Sequence, residues 1–419
     1  MEWLIKNKEW LFSGIAISVP LALLGIFFSG RKNKQIQKGD KNSGNIQVGG
    51  NLKITENQKG GNNSTNIQTQ QMVLHVGIDE KRAREIYHEM NLQVRKDYTE
   101  DALFTANTRI AEFENRLMPK MAQVEGALEA FADPGFQLLL IEAQKTAAST
   151  ERPADYDLLS ELLVHRFQNG QNRNVRAGIS FAVEIIDKVS DDALLALTVS
   201  HAISIFTPVT GDIYQGLDVL DELFGKLLYN ELPIGHDWLD HLDILNAIRQ
   251  NSFGQLKKIQ QYYSEILCGY VDIGMAKESE SHDKAIEILL NNNIASSILC
   301  EHTLNKKYIR LNIPNISSID GLFVTHTVIN EGKKLHVPVK LTDEQKDALR
   351  SIYNLYLKDE NIKNENVGLF MGEWNKRPNL KTLREWWDNI PNSFSITSVG
   401  KVLAHSNAQR CDKSLPPLN

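Results

Sequence analysis

The densest run of residues able to do chemistry is His236-Asp-Trp-Leu-Asp-His-Leu-Asp243. On a helix, His236 neighbours Asp240 and Asp237 neighbours His241. An imidazole and carboxylates so placed can hold a divalent ion. The same string also reads as an exposed helix start, because Gly235 precedes it and acidic side chains favour a first turn. No second ligand pair at suitable spacing occurs elsewhere, so the helix start is the expected reading, with no metal and no cofactor. Trp374 and Glu385-Trp-Trp-Asp388 could form a ligand platform, but tryptophans in a small module are more often core. The pairs Gly49-Gly50 and Gly60-Gly61 lack the Lys-Ser/Thr and the strand–helix context of a phosphate loop. Gly-x-Ser-x-Gly, His-Glu-x-x-His and Cys-x-x-Cys are absent from the sequence. Scattered residues can still assemble an active site, but a non-enzyme is the expected class.

The elements around these residues begin with residues 10–28, which carry no charged side chain across 19 positions. As a helix the run covers roughly 28 Å, about one hydrocarbon core. Trp10 and Phe28 suit its two interfaces, and Pro20 is tolerated in such a helix. A cleaved signal peptide would have a shorter apolar core and a small-x-small site. Lys6 and Lys8 precede the run, whereas Arg31, Lys32, Lys34, Lys38 and Lys41 follow it. The positive-inside rule then predicts residues 1–9 outside, 10–28 spanning and the rest cytoplasmic, a single-pass bacterial inner-membrane protein whose first partner is the lipid bilayer. Three cysteines (Cys268, Cys300, Cys411) without metal spacing suit a reducing compartment. Residues 1–71 carry a net +5, which leaves −11 on residues 72–419. The basic segment 29–34 favours anionic lipid, and the acidic remainder argues against nucleic acid as a partner.

Residues 35–71 repeat. QKGDKNSGNIQ (37–47) and QKGGNNSTNIQ (58–68) match at eight of eleven positions, offset by 21. Gln37, Gln47, Gln58 and Gln68 mark a finer beat of 10, 11 and 10 residues. A fixed short period means one repeated shape, and such units stack. Six aliphatic side chains and no aromatic cannot form a core alone. Stacked on copies, Gln and Asn can form hydrogen-bonded ladders along a dry Ile/Val seam. The candidate self-assembly residues are Ile36, Gln37, Ile46, Gln47, Val48, Gly49, Gln58, Ile67 and Gln68. The plain alternative is a flexible Gly/Asn/Gln linker.

Ile46-Gln47-Val48-Gly49 resembles the hydrophobic-Gln-hydrophobic-Gly core of the RIP homotypic interaction motif and its bacterial amyloid-signalling relatives. The two pseudo-repeats are similar in layout to the HET-s prion-forming domain. Lys38, Lys59 and Thr69 replace the second hydrophobic residue in the other quarters. The resemblance implies templated β-stacking between copies, as a fibril or as a small closed solenoid.

From Ile78 the period becomes helical. Thr99-Glu-Asp is a helix start, followed by apolar positions Leu103, Ala106, Ile110, Phe113, Leu117, Val124, Ala127 and Phe131. That spacing fits a coiled coil or one face of a bundle, so the 103–131 helix is a second candidate for pairing between copies. Further periodic runs fill 136–148, 157–167, 174–189, 191–206, 254–275 and 284–299. β-Branched segments at 307–313, 322–329 and 334–339 predict a small sheet. Thr342-Asp-Glu-Gln345 is a capping box, and 394–396 a strand before a last helix from Ser398. Glu184-Ile-Ile-Asp-Lys-Val-Ser-Asp-Asp-Ala-Leu-Leu-Ala-Leu197 and Phe394-Ser-Ile-Thr-Ser-Val-Gly-Lys-Val-Leu403 resemble two stretches of Abi-alpha-type abortive-infection proteins. That likeness implies a role in phage defence.

The expected fold class is therefore mostly α: a transmembrane helix, a short solenoid-like β-repeat, an α-helical domain over 78–304 and an α+β module over 305–419. The expected function is a membrane-anchored oligomeric sensor, scaffold or effector in bacterial stress or anti-phage defence, assembling through 35–71. The alternatives are a tethered ligand- or nucleic-acid-binding protein with a passive linker, or a metal-dependent hydrolase using the 236–243 cluster.

Overall fold

The computed structural model describes residues 78–416 and 418, apart from 252, 331 and 332. Local signals account for many element ends. Thr99 stands at the cap of α2 (Glu100–Gln123), with α1 (Glu80–Val94) before it. Asp133 caps α3 (Pro134–Ser149) by accepting the Phe136 N–H, with Pro134 in the first helical position. Pro153 opens α4 (Pro153–Gln168), Asn172 caps α5 (Arg173–Ile185) and Ser190 caps α6 (Asp191–Ile205). Then come α7 (Ile213–Leu227), α8 (Asp237–Ile244), β1 (Ile248–Asn251), α9 (Ile259–Ile266) and the single turn α10 (Cys268–Val271).

A second group of elements follows: β2 (Met275–Ala276), α11 (Glu280–Asn291), β3 (Leu299–Glu301), β4 (Tyr308–Leu311), the hairpin β5 (Phe323–Asn330) and β6 (Lys333–Lys340), and α12 (Asp343–Asn354). Strands β2-β4-β3 form a small antiparallel sheet, and β5 pairs with β6 in register Phe323↔Lys340 through Asn330↔Lys333. The Thr342–Gln345 capping box forms as the sequence predicts, with bonds of 3.3 and 3.1 Å between side chains and backbone N–H groups. The chain closes with α13 (Glu360–Asn375), α14 (Pro378–Trp387), β7 (Ser393–Ile396) and α15 (Ser398–Cys411).

Two hydrophobic cores result, one nested inside the other in chain order. The larger draws its buried members from Ala83–Val271 and again from Val367–Leu415; the smaller takes all of its own from Met275–Tyr356. A division at residue 305 therefore does not separate the cores. The return to the larger core is made by β7, which pairs antiparallel with β1 (Ile248↔Ile396), and by α15, which lies against α4, α5 and α6. Buried Arg310 fastens the smaller core to the α6–α7 loop, donating from Nη2 to Gly211 O at 2.6 Å and from Nη1 to Leu311 O at 3.0 Å.

Three expectations change. The chain is mostly helical, but among the described residues there is no solenoid, only small antiparallel pairings. Among the described residues no helix is long and apolar enough to cross a membrane, which corrects the transmembrane fold class and the single-pass inner-membrane location. The run 10–28 with Trp10, Pro20 and Phe28, and the repeat 35–71, lie outside the described residues. Third, the 103–131 stripe is used within the chain. Ala106, Ile110, Phe113, Leu117, Ala127 and Phe131 are all buried, packed by α3 and α4, so that face is not open to a second copy. Their 3-4 spacing was a bundle face, which coiled-coil spacing does not distinguish.

Candidate functional site

The helix-start reading of the 236–243 run matches its geometry. His236 sits at the cap of α8, Gly235 turns the chain at φ +82°, and Trp238 is buried. His241 Nε2 accepts the Ser190 N–H at 3.2 Å, and Asp240 Oδ1 accepts from Gln250 Nε2 at 2.7 Å. Asp240 and His241 thus spend polar atoms on neighbouring elements, whereas His236 and Asp237 are exposed. Among the described residues no group of three or more His, Cys, Asp or Glu side chains is placed to hold a metal ion. The tryptophans are core. Trp374, Trp386 and Trp387 are buried, and their ring N–H groups donate to the carbonyls of Leu380, Pro233 and Lys257 at 2.7, 2.8 and 2.9 Å. The candidate assembly residues Ile36, Gln37, Ile46, Gln47, Val48, Gly49, Gln58, Ile67 and Gln68 lie outside the described residues.

A different place gathers polar groups: the seam where the chain leaves the larger core for the smaller. Gly269 is required there, since an added Cβ would lie 2.3 Å from Ile313 O, and its N–H donates to Pro314 O at 2.9 Å. That close approach sets Asp272, at the end of α10, between the two cores. Its carboxylate accepts from the Tyr353 hydroxyl on α12 and, at 2.8 Å, from Lys363 Nζ on α13. Its backbone carbonyl accepts from His302 Nε2 at 3.1 Å, and His302 Nδ1 accepts the Leu304 N–H. One residue thus holds a helix of the smaller core, a helix of the larger core and the β3–β4 loop.

The electrostatics follow from this arrangement. Burial, then the Asp272 carboxylate, pushes the Tyr353 hydroxyl far above its ordinary range, so it stays a donor. For Lys363 burial alone would lower the pKa, but hydrogen bonding to Asp272 and its charge raise it, so it stays an ammonium. Burial, with Arg310 nearby, holds the His302 imidazole neutral, its pKa lowered to about 4.

Asp272, Tyr353 and Lys363 form one wall of a cleft of about 840 Å³. Lys258, Arg384 and Asp388 line it as well, and Gln260, Gln261, Ser264 and Glu265 of α9 and the Cys268 thiol supply further polar atoms. The same three residues also border a cavity of about 300 Å³ behind them. The Tyr353 hydroxyl lies 3.6 Å from Cys268 Sγ. The Tyr353 O–H is already given to Asp272, so toward the thiol the hydroxyl presents a lone pair, and among the described residues no imidazole lines the cleft to act as the thiol's base. What the cleft presents is both signs of charge, amides and hydroxyls at the mouth of an apolar seam, which is a binding arrangement.

A family model described only as ":-like" matches residues 77–415. The chain belongs to that family. No curated protein and no solved structure matches it. The family region takes in both cores and every residue of the cleft, and it begins after the 35–71 repeat.

Sequence reasoning missed Asp272, Tyr353 and Lys363, because Asp272 lies 81 residues before Tyr353 and further still before Lys363, and the three form no local motif. One signal was present. Tyr270-Val-Asp-Ile-Gly274 sets a single carboxylate in an apolar run, and a buried charge of that kind needs a partner.

Proposed function

We propose that residues 78–419 form a ligand-binding sensor or effector module that takes a small zwitterionic molecule, such as an amino acid or short peptide, into the 840 Å³ cleft. The observation that carries this reading is the Asp272–Tyr353–Lys363 hub, which joins the two cores and lines the cleft at once. A ligand that bonds Lys363 or Asp272 competes with the bonds that tie α12 to α13. Binding then biases how the cores are held together, which is what a sensor requires. The test is thermal unfolding of the full chain in a panel of amino acids and dipeptides. A ligand at a hundred times its Kd adds about 2.7 kcal/mol to stability, and the Lys363→Met variant should lose that response. Unchanged melting across the panel sinks the zwitterion reading, and an equal response in Lys363→Met moves the site elsewhere.

The repeat supports a second element of the proposal, self-association through 35–71, which would bring many modules to high local concentration. Light-scattering mass of the chain with and without 35–71 should drop on deletion, and Ile46→Asp or Val48→Asp should act like the deletion by placing charge in the seam. An unchanged mass makes the segment a spacer.

A further inference from the structure

Three imidazoles away from the cleft meet where α15 crosses the larger core. His165 on α4, His201 on α6 and His405 on α15 are each at most 3% exposed. The His405 ring centroid lies 5.9 Å from that of His165 and 5.4 Å from that of His201. Their partners fix the tautomers. His405 Nε2 donates to Pro416 O at 2.8 Å, so its Nδ1 is an acceptor. His201 Nε2 donates to that Nδ1 at 3.2 Å, which leaves His201 Nδ1 buried without a partner. His165 Nε2 donates to Gln409 Oε1 at 2.7 Å, and His165 Nδ1 accepts from the Ser406 hydroxyl at 3.2 Å. With its oxygen held in that way, Gln409 turns its amide N–H groups to Leu415 O and Pro416 O at 3.2 and 2.9 Å.

All of these bonds lead to one object, the chain after α15. Residues 412–416 and 418 are held by His405 and Gln409 at Leu415 and Pro416, and by Asn169 at Leu418 O at 3.1 Å. Two ion pairs assist, Asp412 with Lys226 of α7 at 3.2 Å and Lys413 with Glu161 of α4, which Lys120 of α2 shares. The charges that act on the three rings are Glu161, which favours protonation of His165, and Lys401 of α15, which opposes it at His201. Arg410 of α15 lies over the Tyr229 ring, 5.3 Å from its centroid, and neither these two nor Cys411 is among the groups acting on the three imidazoles. From α5 and β7, which also flank α15, no charge is found acting on the rings among the described residues.

We propose that His165, His201 and His405 form an acid-sensitive latch that holds residues 412–416 and 418 on α4 and α15 and lets them go when the joint between His201 and His405 takes up a proton. The joint takes a proton at His201 Nδ1, the ring nitrogen buried without a partner, and shares the charge through the Nε2–H bond to His405 Nδ1. Among the described residues no carboxylate acts on either ring, so this buried cation is stabilised only by water, which reaches His405 Nε2 once the tail lifts Pro416 O away from it. At His165 the Ser406 hydroxyl can rotate and accept, so that ring tolerates the change better. The device is separate from the cleft and does not depend on its ligand.

Burial lowers all three pKa values, His201 to about 3 and His405 to about 4, so the latched form is neutral. Opening returns the rings toward an ordinary pKa near 6.5. The latch is therefore complete above that value and weakens as pH falls from about 6.5 toward 4, by up to tenfold in the opening equilibrium per pH unit for each proton taken up.

Hydrogen exchange of the full chain at pH 7.0 and 5.0 tests this, after correction for intrinsic rates. Protection at Lys413, Ser414 and Leu415 should fall at least tenfold, while the amides of α3 keep theirs. His405→Gln keeps a donor for Pro416 and cannot titrate, so its tail protection should change far less. If that variant does not fold, His201→Asn should flatten the response in the same way. Equal tail protection at both pH values overturns the latch, as does loss of protection in α3 alongside the tail, or a variant that keeps the wild-type slope.

Discussion

Replacing Gly400 by alanine is expected to cost the fold about 3 kcal/mol, at the upper end of what one added methyl does in a packed interior. Gly400 lies in the first turn of α15, where a Cβ would come within 2.0 Å of Ala247 O and 2.9 Å of Ile396 Cγ2. The nearer atom is backbone and cannot swing aside. Ala247 O already accepts from the Thr397 N–H and hydroxyl, both at 3.0 Å, and Thr397 Oγ1 caps the helix by accepting the Gly400 N–H at 3.1 Å. To admit the methyl, α15 must lift away from residue 247 and strain both the cap and the adjoining Ile248↔Ile396 pairing. Gly368 is the control. It sits in α13 with nothing within 4 Å of an added Cβ, so Gly368→Ala should stabilise by roughly 0.5–1 kcal/mol through helix propensity alone. Urea unfolding of both variants decides the matter. A Gly400→Ala protein as stable as wild type would mean that the α15–β1 contact has slack.

Asp272→Ala is expected to cost about 2 kcal/mol. Removing one partner of a buried ion pair costs roughly 3–5 kcal/mol, but the Lys363 side chain is 38% exposed, so water screens part of that loss. The Tyr353 hydroxyl loses its carboxylate acceptor in the same step. Asp272→Asn keeps the shape and one acceptor, and should cost about half as much. A double-mutant cycle with Lys363→Met isolates the pair, with a coupling of about 1 kcal/mol expected. If the two substitutions are additive within a few tenths of a kcal/mol, Asp272 and Lys363 do not act as a pair and the hub is only packing. The same variants separate structure from recognition: a folded Asp272→Asn that no longer answers to ligand would place the carboxylate in the binding site.

Local physics was legible in the sequence wherever the signal and its partner are close neighbours. The Thr342 capping box and the β-branched runs of β5 and β6 specify elements by contacts a few residues apart. The α2 stripe was legible as a periodicity, but what it packs on is not written in its own residues. Strand β1 was invisible because its partner β7 lies some 140 residues on, and Ile248-Arg-Gln-Asn251 has no alternation of its own strong enough to mark a strand. The buried histidines share a signature that sequence reading passed over. His165 in Leu-Leu-Val-His-Arg, His201 in Val-Ser-His-Ala-Ile and His405 in Val-Leu-Ala-His-Ser each interrupt an apolar helix. Each alone reads as a satisfied core residue, and only the crossing of α4, α6 and α15 makes them a group. The 236–243 run is dense in ligand types, whereas the fold joins sparse residues from far apart at the cleft.

The central position of α15 also has a consequence for how the protein is made. The helix that completes the larger core follows every other helix of that core in the chain, so it leaves the ribosome after them, and it bonds to residues synthesised up to 244 positions earlier. Until it emerges, α4, α5 and α6 expose the apolar faces it covers, so the nascent chain cannot finish its core as translation proceeds. A product that stops short of residue 398 has no element to close those faces and is a substrate for chaperones and proteases. Folding thereby proofreads translation through α15: only a chain that extends past residue 411 closes its larger core.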